Sequence, residues 1–306
     1  MSTRRLQLPR PFINTIVSTF PNGEGWLNRL PGLLKACASR WLLTIHPPFD
    51  LSFNYVARAT RLDGTEVVLK LGVPNPELWT EIEALRHYAG DGFARLIDVA
   101  PKLGAFLIEH LEPGTPLANI TDDEQATAIA AAVMQKLWKP APPEGHTFPT
   151  VERWARGLEG LRDQFGGGTG PFPSNLVDLA ENYFDEMINS QGEPVLLHGD
   201  LHHWNILQST RQPWLAIDPK GVIGEREYET GAFLRNPYTR LTDPKLVTRL
   251  TERRASQLAE ILGFDRQRIL KWAAAQAVLS AWWAYDDLGE EWLPWFGIAE
   301  GIATAR

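Results

Sequence analysis

LLHGDLHHWNIL, residues 196–207, sets three histidines, an aspartate and an asparagine between two apolar pairs. A metal cage, a catalytic loop and a crowded turn all use such residues, and spacing separates them. Asp200 follows His198 by two positions and precedes Asn205 by five, giving H-x-D-x-x-x-x-N. This is the spacing of a phosphoryl-transfer catalytic loop. There a carboxylate accepts the proton of an attacking hydroxyl, and an amide oxygen further on reaches a magnesium ion. A second carboxylate is needed. Asp218 supplies it at the end of "WLAID", thirteen residues beyond Asn205, a separation that a strand–loop–strand hairpin closes. Magnesium takes hard oxygen ligands and keeps several waters, so one amide and one carboxylate suffice beside phosphate oxygens.

Phosphoryl transfer also needs a cation on the phosphates, steadied by a carboxylate on a nearby helix. Lys70 ends the strand-like run "VVLK", and Glu81 lies eleven residues on in a helical segment. Glu83 competes, but two helix positions rotate a side chain by about 200°, so both cannot face Lys70. Glu81 shares a face with Leu85 and Tyr88 and is the expected partner.

Outward from these residues the pattern divides in two. In 51–71, "LSFNYVARATRLDGTEVVLKL", two β-rich runs flank Asp63-Gly64, a strong hairpin signal. A helix ("ELWTEIEALRHYAG") and two strands ("FARLIDVA", "GAFLIEHL") follow, so 51–111 reads β-β-α-β-β. Ahead of them, 23–45 has apolar residues at helical spacing and reads as one or two helices broken near Pro31. Pro113, Gly114 and Pro116 mark a linker. Beyond it, Thr121 with Glu124 reads as a capping box before "QATAIAAAVMQKLW". A Pro/Gly-rich stretch separates that helix from "NLVDLAENYFDEMI". Asp243-Pro244 opens a further helix, and Asp265 caps a long one. The expected class is α+β. An N-terminal lobe spans 1–112, with a helical extension over 23–45, a small antiparallel sheet over 51–111 and one main helix. A helical C-terminal lobe spans 113–306 and carries the catalytic and metal-binding loops. The G-x-x-x-x-G-K-[ST] phosphate loop is absent.

Bulk properties narrow the partners. A chain of 306 residues accommodates two cores. Its formal net charge of −7 argues against a nucleic-acid partner; it suits a cationic or polar small molecule, but taken alone it reads as the charge that keeps a chain soluble. The single cysteine, Cys37, excludes an internal disulfide framework and fits a reducing compartment. No apolar run approaches the roughly 18 residues of a membrane helix, and the first twenty lack a signal-peptide pattern. A cytoplasmic protein is expected, with no membrane association and no obligate protein partner.

"LLHGDLHHWNIL…WLAIDPKG" resembles the aminoglycoside phosphotransferase family, in the branch of streptomycin 6-kinases and hydroxyurea phosphotransferases. "IDPKGVIGEREYE", "WLNRLPGLL" and "FNYVARA" support the same branch, and the likeness covers roughly 23–300. It implies a bilobal protein-kinase-like fold and transfer of the γ-phosphate of ATP, with magnesium, to a hydroxyl of a small polar molecule. Under it Asp200 is the catalytic base, and Asn205 and Asp218 are the magnesium ligands. Lys70 contacts the ATP phosphates and Glu81 holds Lys70. Ser52, Phe53 and Asn54 form the turn over the phosphates, without the glycines of protein kinases. Glu109, His110 and Leu111 form the hinge at adenine. Lys220 is either a phosphate-neutralising group or a surface lysine, and Glu229 falls where relatives place a loop-supporting aspartate.

The resemblance also implies an acidic acceptor surface. In "AWWAYDDLGEEW", Trp282, Asp286 and Glu290 repeat at i, i+4, i+8, beside Trp283, Asp287 and Glu291. Acids next to tryptophan suit a guanidinium or ammonium group; the tryptophans also continue an apolar stripe and read rather as core, whereas the acids read equally as ligand-binding or as a solvated helix end. Glu225 and Glu227 are further acceptor candidates. Two rival readings stand. His198, His202, His203, Asp200 and Asp218 could form a hydrolase metal site, which leaves Asn205 and Lys70–Glu81 unexplained. The same fold could serve a catalytically silent nucleotide-binding regulator, although no catalytic position is replaced.

Overall fold

Period-two alternation in "EVVLKL" decides how the N-terminal unit is built. The computed structural model describes residues 6–143, 145–288 and 293–306, with only the backbone at 287 and 288. It divides into two units, Met1–Gly90 with Ala94–Leu111, and Asp91–Phe93 with Glu112–Arg306. In the first, α1 (Arg10–Thr19) and α2 (Gly23–Trp41) precede β1 (Leu43–Pro48), β2 (Tyr55–Arg61), β3 (Glu66–Leu71), α3 (Pro76–Tyr88), β4 (Leu96–Ala100) and β5 (Ala105–Glu109). The strands form one antiparallel sheet in the order β1-β2-β3-β5-β4. Val67, Leu69 and Leu71 share a core with Tyr55, Ala57, Leu107 and, from the helices, Phe12, Trp26 and Trp41. Alternation then turns Val68 and Lys70 to the opposite face. Asn75 caps α3 by accepting the Leu78 N–H at 3.0 Å, and Pro76 starts it.

Two expectations are corrected here. The helical extension does not run to 45: α2 ends at Trp41, Leu42 turns left-handed at φ 52°, and Leu43–Pro48 becomes an edge strand. Nor does Pro31 break the helix. It lies on the exposed side of α2, while Trp26, Leu30, Cys37 and Trp41 anchor both halves in the core, so one missing backbone bond is tolerated. The helix α1 precedes the segment read as helical.

The second unit contains β6 (Pro113–Pro116), α4 (Asp123–Leu137), β7 (Lys139–Pro140), α5 (Val151–Ala155), α6 (Gly157–Gln164) and α7 (Ser174–Asn189). It continues with β8 (Val195–Leu197), β9 (Ile206–Ser209), β10 (Trp214–Ala216), β11 (Val222–Gly224), α8 (Thr230–Leu234), α9 (Pro244–Leu262), α10 (Arg266–Leu288) and α11 (Leu293–Ala303). Its strands form two small sheets, β10-β9-β6 and β11-β8-β7. The proline-rich linker is thus the edge strand β6, the position where missing N–H groups are harmless. Asp122, not Thr121, caps α4, accepting the Glu124 and Gln125 N–H groups at 3.0 and 3.1 Å. The Pro/Gly-rich stretch holds α5 and α6. From Leu270 to Trp282 almost every side chain of α10 is buried, which makes it the central helix of this unit. Among the described residues no helix is long and apolar enough to cross a membrane.

Arg254 on α9 is 1% exposed. Its guanidinium donates to Asp123 at the start of α4 (Nε–Oδ2 3.0 Å) and to the Asn236 carbonyl (2.6 Å). Burial pushes the Asp123 pKa up, but Arg254 and Arg253 outweigh it and hold it below the usual carboxylate range. Removing the cation leaves that carboxylate largely buried and under-paired. Arg254→Met is expected to lower the unfolding free energy by about 3–5 kcal/mol in urea titrations; a loss below about 1 kcal/mol would make the pair equivalent to a surface ion pair.

Candidate active site

The loop between β8 and β9 is fixed from beneath. Glu229, 1% exposed, accepts the His198 N–H at 2.7 Å through Oε2 and the Gly199 N–H at 2.9 Å through Oε1. Gly199 sits at φ 84°, and a Cβ there would meet the Trp154 ring and Val222 at 2.9 Å, so glycine is required. The His198 ring is buried and lies parallel to Phe93 at 5.7 Å. Its Nε2–H donates to the Ile217 carbonyl at 2.8 Å, and its Nδ1 accepts the Asp200 N–H at 3.2 Å. That pattern sets a neutral tautomer, and burial holds the pKa down to about 4.

The hairpin β9–β10 brings the two prospective metal ligands to one end. Ile206 pairs with Ala216, and the Ile217 N–H reaches the Asn205 carbonyl at 3.0 Å, so Asp218 follows directly beside Asn205. The chain then turns back, with the Lys220 N–H on the His198 carbonyl at 2.8 Å. Asp218 has φ 62°, left-handed backbone in a non-glycine residue, strain of the kind stored at functional sites, of order 1–3 kcal/mol. Asn205 donates Nδ2–H to the Asp200 carbonyl at 3.0 Å, which commits its amide nitrogen and leaves Oδ1 to act as a ligand. An amide oxygen and a carboxylate so placed are the hard donors that magnesium takes.

The Asp200 carboxylate is flanked by a guanidinium and by an imidazole whose pKa burial lowers. Arg235 Nη2 lies 3.0 Å from Oδ1 and His202 Nε2 lies 3.6 Å from Oδ2. Burial works to raise its pKa, but His202, Arg235 and Lys220 together hold it below the usual carboxylate range, so it is ionised at neutral pH. Arg235 is itself steered by Gln276 Oε1 at 3.0 Å, and Gln276 donates to the Tyr228 carbonyl. Sequence reasoning missed Arg235: it arrives from thirty-five residues away with no local pattern around it. His203 is 1% exposed and stacks on Phe233 at 4.2 Å. The three histidines therefore face three different partners. Among the described residues no three His, Cys, Asp or Glu side chains converge as a metal cage, which removes the basis of the hydrolase reading.

In the first unit Lys70 Nζ donates to Glu81 Oε1 at 2.7 Å, both buried, and lies 5.8 Å from the Phe106 ring centroid. Glu83 instead pairs with Arg86 at the surface. Ser52 and Phe53 are exposed in the β1–β2 connection, while Asn54 folds against Gly72, where a Cβ would sit 2.3 Å from its Oδ1. At the end of β5, Glu109 accepts the Arg95 N–H at 3.0 Å, His110 is half-buried and Leu111 is buried.

The acceptor candidates separate. Glu225 is a correction: 3% exposed, it takes Arg268 through both oxygens at 2.6 and 2.7 Å, plus the Gly192 N–H and the Trp272 indole, so it braces the helices rather than meeting a ligand. Glu227 is half-buried, and burial raises its pKa. Asp286 is exposed on α10. Asp287 contributes backbone only, and Glu290 and Glu291 lie outside the described residues. Trp282 is core, packed on Phe165 and Phe172, whereas Trp283 is 38% exposed against Trp154.

Comparison with known proteins agrees with this chemistry. The chain belongs to the aminoglycoside/hydroxyurea antibiotic resistance kinase family, whose model matches residues 42–288. It is 32% identical to a streptomycin 6-kinase of Streptomyces glaucescens over 301 residues, 94% of either chain. It is 30% identical over 285 residues to a hydroxyurea phosphotransferase of Kitasatospora aureofaciens, covering 89% of this chain and 78% of the relative. A ternary complex of a thermostable aminoglycoside phosphotransferase mutant with ADP and hygromycin B superposes with a TM-score of 0.59 at 14% identity, over 87% of this chain and 97% of that one. The fold is protein-kinase-like, and the chain is a phosphotransferase with an alcohol group as acceptor.

Glu229 links the loop to pH. Burial, opposed by the N–H bonds of Gly199, His198 and Leu201, raises its pKa from 4.5 to about 7. A raised value means the folded state holds the proton more tightly. Its contribution is full below about pH 4.5 and lost as pH rises through about 7, roughly 3 kcal/mol in all. Glu229→Gln is expected to remove that dependence. Urea unfolding of both proteins at several pH values between 4.5 and 7.5 tests it; parallel stability curves would reject the assignment.

Proposed function

We propose that the chain transfers the γ-phosphoryl group of ATP to a hydroxyl of a streptomycin-type aminoglycoside, as an antibiotic-inactivating enzyme of the cytoplasm, with hydroxyurea as the second acceptor to consider. The observation that carries this reading is Asp200. It is an ionised, half-buried carboxylate in a loop whose backbone is clamped by Glu229, with Asn205 and Asp218 side by side. The acceptor hydroxyl loses its proton to Asp200 as its oxygen bonds to phosphorus, and the bond from phosphorus to the β–γ bridging oxygen breaks, leaving ADP. Asn205 and Asp218 would hold magnesium, which when bound offsets charge on the phosphate oxygens.

Lys70, steadied by Glu81, neutralises nucleotide phosphate charge. Ser52, Phe53 and Asn54 cover the phosphates, and the backbone of Glu109, His110 and Leu111 meets adenine. Asp286, Asp287, Glu290 and Glu227 remain the acidic candidates for the cationic acceptor. A silent regulator would not need an ionised Asp200 beside two metal-type donors, so the catalytic reading is preferred.

Asp200→Asn is expected to lower kcat about 10²–10⁴-fold with ATP affinity near that of the unaltered protein. Unchanged turnover of streptomycin in a coupled ADP-release assay would remove Asp200 from the base role. Asp218→Ala should weaken magnesium–ATP binding by at least about tenfold in calorimetry, the loss of one hard ligand to a weakly held ion; an unaltered isotherm would place the metal elsewhere.

A further inference from the structure

Proteins usually bury large aromatic rings, and α10 shows this: Trp272 is 1% and Trp282 5% exposed. Another group departs from it. The His202 ring, facing Asp200 Oδ2, meets Trp204 edge-on at 5.9 Å. Trp204 lies 5.6 Å from Tyr238, and Tyr238 lies 5.0 Å from Trp295, at interplanar angles of 48° and 38°. Tyr238 is 43% exposed, and Trp204 and Trp295 are half-buried. The rings come from three separate places: the catalytic loop, the turn after Pro237, and the first turn of α11. Three elements far apart in sequence thus hold a run of partly solvated rings, and its first member touches the group beside the catalytic carboxylate.

From this we infer an acceptor subsite: the rings of Trp204, Tyr238 and Trp295 form a shelf on which a multi-ring, cationic saccharide lies while one of its hydroxyls reaches Asp200. The inference rests on the kinase reading above and deepens it by naming the residues that select the acceptor. Pyranose and cyclitol rings present flat C–H faces that pack on aromatic faces, and guanidinium or ammonium groups are attracted to the same faces. A run of three rings matches an acceptor longer than one ring. A single small hydroxyl compound reaching Asp200 needs no contact with Trp295, the far end of the run. The shelf therefore favours a glycoside over a one-carbon acceptor such as hydroxyurea.

The test uses the full chain with streptomycin as probe. Trp295→Ala and Tyr238→Ala are expected to raise the KM for streptomycin at least about tenfold, with the KM for ATP unchanged. Trp295→Phe, which keeps a ring, should recover most of the loss. Thermal melts establish that each variant is folded, and calorimetric titration of streptomycin without ATP gives a reading independent of turnover. If folded variants bind streptomycin as tightly as the unaltered protein and keep its KM, the shelf is overturned while the kinase reading stands. If the unaltered protein phosphorylates no acceptor yet binds streptomycin in a Trp295-dependent way, the kinase reading fails and the shelf stands. Loss of ATP and streptomycin affinity together in a folded variant also overturns the shelf, because it marks a general structural role.

Discussion

Two adjacent backbone N–H groups, those of His198 and Gly199, share one buried carboxylate, and the arrangement of the catalytic loop follows from that. A hydrogen bond to a charged group contributes about 1.5–3 kcal/mol, while taking a carboxylate out of water costs several. At Glu229 burial outweighs the hydrogen bonds, which is why its pKa rises to about 7. With the chain pinned at 198 and 199, the His198 ring spans to Ile217, and the Asp218 turn is tied to the same residue through Lys220. Asp200, Asn205 and Asp218, the base and metal ligands of the proposed reaction, are thus positioned by one short network of backbone bonds.

The ion pair between Asp200 and Arg235 looks at first like a handicap for the proposed base, since a cation lowers basicity. Phosphoryl transfer makes this tolerable. Its transition state is loose, with little bond formation to the incoming oxygen, so the hydroxyl proton is not strongly acidified until late. Orientation then matters more than proton affinity. Arg235 fixes Oδ1, and Gln276 and the Tyr228 carbonyl fix Arg235, a chain that reaches from the loop into the central helix.

Interactions close in sequence were legible before the structure. The Asp63-Gly64 hairpin, the helix starts at Asp243 and Asp265, and the meeting of Lys70 with Glu81 rather than Glu83 all follow from period, caps and helix geometry acting over a dozen residues or fewer. What escaped was decided at long range. Leu43–Pro48 has no strong strand pattern and becomes a strand because β2 offers an open edge. Thr121 and Asp122 are both good caps, and only the backbone direction chose between them. Arg235 and Glu225 carry nothing in their neighbours that distinguishes a buried ionic contact from a solvated charge.

Glu225 bears on recognition as well as on legibility. An acidic residue near a kinase loop invites a role in binding cations, yet this one is consumed by Arg268 and Trp272 inside the fold. The acid on the described surface of α10, Asp286, is exposed, and exposed ion pairs contribute only about 0–1 kcal/mol and weaken with salt. Contact with aromatic rings is short-ranged and little screened, and it distinguishes a large ring system from a small one by area. Acids attract many cations to this protein of net charge −7, but they do not measure size. In the inferred subsite the successive rings of Trp204, Tyr238 and Trp295 would do so, because an acceptor long enough to reach from the first to the last gains contact that a small one lacks.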